Sequence, residues 1–267
     1  MAGRNGRRRW GRARKRRWSW ARRALAAFLV LFVAPLLGSA ATVLGQGYDW
    51  RTAPRYSVGI APDPATTPEA VVQVYVARAF GWRGAFGVHS WIAVKPSGAP
   101  AFDVYEVIGW SVYHGGPAVR VSQRPPDGMW YGSRPEIIAD LRGQGVDDVI
   151  RRIRAAAKSY PYPDSYRVWP GPNSNTFTAY VARAVPELEV ELPPTAIGKD
   201  FLPNGDVLAR APSGTGWQLS LLGLLGVMVA ADEGLEIDVL GLTFGIDVTR
   251  PALKLPGIGR LGLPNRA

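Results

Sequence analysis

Residues 71–95, VVQVYVARAFGWRGAFGVHSWIAVK, decide the fold of the central part of the chain. Val71–Arg78 and Gly87–Lys95 are both rich in β-branched residues and alternate with a period of two, and a glycine-containing turn joins them. This pattern predicts a β-hairpin. Phe102–Val112 is predicted as a third strand and Ala118–Ser122 as a short fourth. Because the connections are short, the sheet is predicted to be antiparallel.

Helical patterns follow the predicted strands. Residues 133–141 are predicted to form a short helix, since serine and proline are typical of a helix start. Val146–Lys158 and Ser174–Ala184 each place apolar residues on one face at helical spacing. Asn173 or Ser174 is predicted to cap the last of these helices. Residues 69–205 are therefore predicted to form one α+β domain.

The last third of the chain is rich in glycine and apolar residues. Trp217–Ala230 is too short and too glycine-rich for a membrane span, and Leu235–Thr249 continues the apolar pattern after the turn ADEG. A long hairpin is predicted, which makes residues 206–267 a β-hairpin extension of the domain.

The first 23 residues carry the excess of positive charge. The chain has 32 Lys and Arg against 21 Asp and Glu, and residues 1–23 contain eleven basic residues and no acid. Residues 24–45 then provide 22 residues without a charge, which is enough to cross a bilayer as a helix. The basic flank predicts a cytoplasmic N-terminus and an exported main domain. A cleaved signal peptide is the alternative, and residues 46–68 are predicted to be a linker.

Composition excludes several kinds of chemistry. The chain has no cysteine and only two histidines, so disulfides, thiolate catalysis and Cys-ligated metals are excluded, and no metal or cofactor is predicted. Outside residues 1–23 the basic and acidic residues balance, so no nucleic acid is expected to bind the folded domain.

Two segments carry the candidate chemistry. Val88–Ile92, VHSWI, lies on a predicted strand, and residues 173–177, NSNTF, begin a predicted helix. His89 and Ser174 would form a base–nucleophile pair. Glu106 is the first candidate for the acceptor that orients the histidine, and Tyr105 or His114 could take its place. The structural alternative is that Ser174 or its neighbour caps the helix. Six further residues are predicted to line a pocket between the segments: Trp91, Asn173, Asn175, Trp130, Tyr131 and Trp169.

The order of these segments resembles the circularly permuted papain-like superfamily, which includes lecithin retinol acyltransferase-like enzymes. There a strand histidine faces an Asn-Cys segment at a helix start, and Ser174 stands where the cysteine nucleophile would be. Nearly the whole chain, including WPGPNSNTF and LPPTAIGKD, is also similar to a bacterial family of unknown function, the one numbered 3750. The resemblance to the papain-like superfamily implies a papain-like α+β fold.

Two functions remain open from the sequence. The first is a degenerate, catalytically silent papain-like module that binds an envelope ligand or protein. The second is a serine-dependent hydrolase or acyltransferase that uses Ser174 and His89. In both cases the protein is predicted to be held in the bacterial inner membrane through residues 24–45, with its main domain on the extracytoplasmic side.

Overall fold

The computed structural model describes residues 20–43 and 49–264 of the chain. The predicted basic tail up to residue 19, the last two residues of the predicted anchor and residues 46–48 of the predicted linker lie outside this range. The described part contains an N-terminal helix and two antiparallel sheets, with two long helices packed on the first sheet. The predicted α+β class is confirmed.

The first unit contains five strands and three helices, numbered here after the N-terminal helix α1 of residues 20–43. They are β1 Val71–Arg78, β2 Val88–Lys95, β3 Asp103–Val107, α2 Gly109–Tyr113, β4 Val119–Gln123, β5 Glu136–Arg142, α3 Val146–Lys158 and α4 Ser174–Ala184. The strands form one antiparallel sheet in the order β4-β3-β2-β1-β5. Helices α3 and α4 pack on one face, where most of the buried core lies, and a smaller cluster around Tyr75 and Trp91 covers the other face.

Two predictions for this unit were wrong. The helix predicted over residues 133–141 is strand β5, whose alternating EIIADLR segment pairs with the free edge of β1. The third strand, predicted to reach Val112, ends at Val107, and the chain then turns into α2. Its partner β4 ends the ladder at the pair Val107–Val119, so the residues beyond have no strand to bond.

The second sheet is a meander of seven short strands. They run in sequence order from β6 to β12, where the extension had been predicted as a single hairpin. Each predicted long strand contains a tight turn and is itself a hairpin. The strands are β6 Leu208–Arg210, β7 Gly216–Leu221, β8 Leu225–Ala230, β9 Gly234–Val239, β10 Leu242–Asp247, β11 Ala252–Leu255 and β12 Gly259–Gly262.

Charged residues fill the inner side of this second sheet, between it and the first unit. Lys199 and Lys254 both contact Glu236, at 2.6 and 2.7 Å, and all three side chains are almost completely buried. Lys254 also contacts Glu191, which in turn contacts Arg260. We call this set, completed by the pair Arg260–Asp247, the buried charge chain.

The outer side of the second sheet is apolar. Cross-strand pairing places its side chains in continuous rows; one row crosses six strands from Trp217 through Val229, Leu235, Ile246 and Leu253 to Leu261. A second row includes Leu219, Val227, Ile237 and Phe244. We call these two rows the outer apolar face.

The N-terminal helix α1 spans residues 20–43 and includes a π-helical turn, Leu29–Val33. Within the described residues it is long and apolar enough to cross a membrane, over Trp20–Ala41. Its first half is exposed, whereas its second half packs against the 3-10 turn Gly81–Ala85 and the second sheet. A span of this kind is compatible with a membrane anchor or with a signal sequence.

Candidate functional site

Strand β2 sends its side chains to two different sides of the first sheet. His89 and Trp91 point away from the helices, while Ser90 points towards α4 and donates a hydrogen bond to the Asn175 side chain at 2.9 Å. Because side chains alternate along a strand, two neighbouring residues of the VHSWI segment belong to two separate environments.

His89 lies in a buried cluster with Trp91, Glu106, Arg124 and Trp130, which we call the His89 cluster. Its Nε2 is 3.5 Å from Glu106 Oε2, longer than a normal hydrogen bond, and it has no hydrogen-bond partner among the described residues. The Trp130 ring stacks on the imidazole with centroids 3.7 Å apart. Arg124 Nη2 reaches the same Glu106 oxygen at 3.1 Å. The primary ion pair is therefore Arg124–Glu106, with His89 beside it.

The surrounding groups set the charge of this cluster. Burial lowers the pKa of His89, the nearby Arg124 acts in the same direction, and Glu106 opposes both. Burial disfavours ionisation of Glu106, but its contacts with His89 and Arg124 outweigh this and lower its pKa. At neutral pH the cluster holds a carboxylate, a guanidinium and a neutral imidazole.

Loop residues form the outer boundary of the His89 cluster. Trp91 Nε1 donates to the Pro126 carbonyl at 2.8 Å, which fixes the loop before Trp130. Asp127 of the same loop accepts hydrogen bonds from the Ser57 hydroxyl and the Ile60 amide at 2.7 and 2.8 Å. The segment predicted as a linker is thus held against this loop by Ser57 and Ile60, and also by backbone hydrogen bonds from Met129 to Tyr56 and from Gly132 to Pro54.

Three aromatic rings continue outward from His89. Trp130 and Trp110 are nearly parallel at 6.2 Å, and Tyr131 meets both edge-on at 5.1 and 5.2 Å. The Arg55 guanidinium lies 4.2 Å from the Tyr131 ring centre, and Trp110 is 41% exposed. We call Trp110, Trp130 and Tyr131 the aromatic shelf.

The start of α4 is held by a separate network. The Asn173 side chain accepts from the backbone amides of Asn175 and Thr176, forming a capping box with Thr176. Its amide group donates to the Val168 and Ile197 carbonyls, and that of Asn175 donates to the Val88 and Ile197 carbonyls, all at about 3.0 Å or less. These asparagines join α4 to β2 and to the loop at residue 197.

No hydrogen bond joins His89 to Ser174 among the described residues, and the predicted pair stays a prediction. Ser174 is the first residue of α4, which contacts Ser90 of β2. His89, one position earlier on β2, stacks against Trp91 and Trp130 instead. The residue that caps the helix is Asn173.

The predicted pocket residues fall into three places. Trp91, Trp130 and Tyr131 are near His89 and Glu106, whereas Asn173 and Asn175 are structural groups at the α4 start. Trp169 is part of neither set, because its Nε1 donates to the Leu240 carbonyl of the second sheet at 2.8 Å. The predicted common pocket therefore stays a prediction.

Sequence reasoning missed Trp110 and Arg124. Trp110 had been assigned to a strand that ends before it, so its place on a helical turn was hidden. Arg124 directly precedes the Pro-Pro-Asp-Gly turn, which is a signal for a fixed loop but not for the carboxylate that the arginine would meet.

Two further findings concern possible binding sites in the described part of the chain. A polar cleft of about 380 Å³ lies at one end of the second sheet, lined in part by Ser213, Asp232 and Arg250. Over residues 20–43 and 49–264, no group of three or more His, Asp or Glu side chains is placed to hold a metal ion.

The fold and the site together define an α+β protein with two antiparallel sheets, an apolar N-terminal helix and a buried His–Glu–Arg cluster beneath aromatic rings. Residues 69–201 match the family described as "Protein of unknown function (DUF3750)", and the chain belongs to this family. The match contains both β2 and the start of α4, and the predicted family resemblance is confirmed. No curated protein and no solved structure matches the chain. The papain-like resemblance stays a prediction.

Proposed function

We propose that the protein is a single-pass protein of a bacterial envelope membrane whose α+β domain binds an envelope ligand without catalysis. The observation that carries this proposal is the aromatic shelf above His89, together with the absence of a hydrogen bond from His89 to Ser174 among the described residues. The ligand surface is therefore the shelf and not a cleft at the start of α4. The silent state of a papain-like module would fit this arrangement.

The environment of His89 supports binding in preference to hydrolysis. A serine hydrolase needs the imidazole within hydrogen-bond reach of the hydroxyl that it deprotonates. Here the imidazole is stacked under Trp130 and lies beside Glu106. At the α4 start, Asn173 and Asn175 use their side chains on backbone groups. Both regions are held in place by hydrogen bonds or ring contacts, which favours a preformed binding surface.

The shelf favours a ligand with a flat apolar face and polar edges. Trp and Tyr rings offer large contact areas with few rotatable bonds, and each ring carries one polar atom at its edge. Ligand sites commonly combine such rings with a few placed polar groups. Arg55 beside Tyr131 adds a cation for an anionic substituent. A sugar ring of an envelope polysaccharide has this chemistry, and we propose a glycan as the ligand.

The test is co-sedimentation of the full chain, in lipid nanodiscs, with purified peptidoglycan sacculi. We expect Trp110→Ala to lose most of the sedimented fraction, because it removes the most exposed ring of the shelf. Tyr113→Ala is the control, since Tyr113 lies on the same helix, outside the shelf, and is 78% exposed. Equal sedimentation of the native chain and Trp110→Ala, or none by the native chain, would remove the proposed glycan ligand.

Two further measurements separate the parts of this proposal. A fluorophosphonate probe that labels the native chain but not Ser174→Ala would contradict the silent module. Reporter fusions at residue 49 and at the C-terminus test the orientation, because both are expected to show extracytoplasmic activity. Cytoplasmic activity at both positions would overturn the proposed topology.

A further inference from the structure

The second sheet has its apolar side outward and its charged side inward, the reverse of a soluble two-layer protein. On the outer apolar face, Trp217, Leu219 and Val229 are each more than half exposed. On the inner side, Glu236 and Lys254 are completely buried. Contiguous exposed apolar patches larger than a few hundred Å² mark a surface that contacts something else. The outer apolar face therefore has an unassigned contact.

Helix α1 touches this same face. The Phe32 ring packs against Phe244 of β10 at 6.0 Å between centroids, and Phe244 belongs to the outer apolar face. One end of the sheet is held as well, because the Ser39 hydroxyl donates to the Gly257 carbonyl at 2.9 Å. Gly257 lies in the turn between β11 and β12. The apolar face is thus continuous with the apolar helix.

The position of these contacts along α1 sets their depth. Phe32 and Ser39 lie eight and fifteen residues after the start of the predicted anchor at residue 24, about 12 and 23 Å along the helix axis at about 1.5 Å per residue. The hydrocarbon core of a bilayer is about 30 Å thick. If α1 crosses the bilayer over residues 24–45, Ser39 lies at the level of the outer leaflet and Phe32 near the middle of the bilayer. Lipid tails are the neighbours available at these levels.

The turns of the sheet differ in polarity between its two ends. At the end that holds Gly257, the neighbouring turns carry Leu222 and Leu240, which are 56% and 57% exposed. Both leucines have positive φ, 55° and 53°, a conformation that favours glycine or asparagine. At the opposite end, the polar cleft is lined by residues such as Thr215 and Arg250. Among these turns, only those at the Gly257 end, near α1, place apolar side chains at positions with a positive φ.

We propose that the outer apolar face is a second membrane contact, in which the face lies against the acyl chains of the bilayer that α1 crosses. The leucine turns enter first and the polar cleft stays in water. This inference rests on the membrane anchor in the proposed function but not on its glycan ligand. A lipid contact also agrees with the position of Trp82 and Arg83 in the 3-10 turn beside the end of α1, since Trp and basic residues favour the headgroup region.

The experiment uses single-cysteine variants of the full chain, which has no native cysteine. Val227→Cys and Ile237→Cys report on the outer apolar face, and Ala231→Cys, in the exposed turn at the polar end, is the matched control. Leu29→Cys reports on α1. Each variant carries an environment-sensitive NBD fluorophore and is placed in phosphatidylcholine–phosphatidylglycerol vesicles. Circular dichroism checks that each labelled variant is folded.

Two quenchers distinguish lipid from water. Doxyl-labelled acyl chains are expected to quench the labels at positions 227 and 237 strongly, with a blue-shifted emission, and the label at 231 little. Aqueous iodide is expected to give the opposite order. Iodide quenching at 227 and 237 equal to that at 231 would overturn the proposal.

The remaining outcomes also decide the question. Labels at 227 and 237 that neither quencher reaches, with energy transfer between differently labelled copies, would show a second copy on the face and overturn the lipid contact. Doxyl quenching at position 29 without quenching at 227 would leave the anchor in place and reject the second contact. Absence of doxyl quenching at position 29 would reject the anchor itself, and the second contact with it.

Discussion

Removal of the Glu236 carboxylate tests how the two parts of the protein are held together. Glu236 contacts Lys199 at 2.6 Å and Lys254 at 2.7 Å, and the three groups are hidden from solvent. Glu236→Gln keeps the size of the side chain and removes its charge. Lys254 retains Glu191 at 2.6 Å, whereas Lys199 loses its contacting carboxylate. The main cost of the substitution therefore falls on Lys199.

The expected loss of unfolding free energy can be estimated in three ways. With an effective dielectric constant of about 20, two unit charges at the observed 2.6 Å attract by about 6 kcal/mol. A lysine with an ordinary pKa near 10.4 can instead lose its proton at pH 7 for about 5 kcal/mol, which limits the penalty. Breaking one partner of a buried ion pair typically costs about 3 to 5 kcal/mol. We expect Glu236→Gln to lower the free energy of unfolding by that amount.

The assay is urea unfolding of the full chain in detergent micelles, followed by tryptophan fluorescence and far-UV circular dichroism. Asp148→Asn is the control, since it breaks an exposed pair with Arg151 and is expected to cost less than about 1 kcal/mol. The double variant Lys199→Met/Glu236→Gln removes the unpaired cation and should recover part of the lost stability. A cost for Glu236→Gln no larger than that of the control would refute the reasoning.

Three further predictions use the same preparation. Burial raises the pKa of Asp238 to about 6, so its ionisation costs stability as the pH rises; the stability advantage of Asp238→Asn over the native chain should grow between about pH 4 and 7, and a constant difference in urea unfolding would contradict this. His89, with its lowered pKa, should titrate below about 6.5 by imidazole NMR, and Glu106→Gln should lower that value further; a rise would show that Glu106 does not act on it. Asn175→Ala should cost about 2 to 3 kcal/mol in urea unfolding because it leaves a buried carbonyl unpaired, whereas Ser174→Ala should stay within about 0.5 kcal/mol; the reverse order would contradict the structural role of the asparagine.

Local periodicity was sufficient for the elements that lie at the centre of the first unit. β1, α3 and α4 have the predicted bounds, and β2 differs by one residue. The two strands present alternate residues to the two buried clusters, and the two helices present one face to the larger cluster, so local pattern and tertiary contacts agree. The β5 segment shows where local periodicity is not sufficient. Its serine–proline start is compatible with a helix, but pairing with the open edge of β1 stabilises a strand. That edge is a long-range feature, which a short window does not contain.

The candidate site was harder to predict for a different reason. Both residues of the predicted pair lie on correctly predicted elements, but the side of the sheet that each faces was not determined. Within β2, the alternation predicts that His89 shares its side of the sheet with Trp91 and not with Ile92. It does not predict which side α4 covers. Ser90 indicates that side only through its hydrogen bond to Asn175, a contact between residues 85 positions apart.

The second sheet poses this ambiguity in its strongest form. The segment LEIDV in β9 alternates as clearly as any strand, with Glu236 and Asp238 on one side and Leu235 and Ile237 on the other. In water such a pattern predicts the acids outside, yet the structure places them inside, where Lys199 from the preceding loop meets Glu236. Alternation fixes which residues share a side but not which solvent that side faces. If a bilayer covers the apolar side, each side of the sheet faces surroundings of its own polarity. The unusual feature of the second sheet is then its contact with lipid and not a reversed alternation.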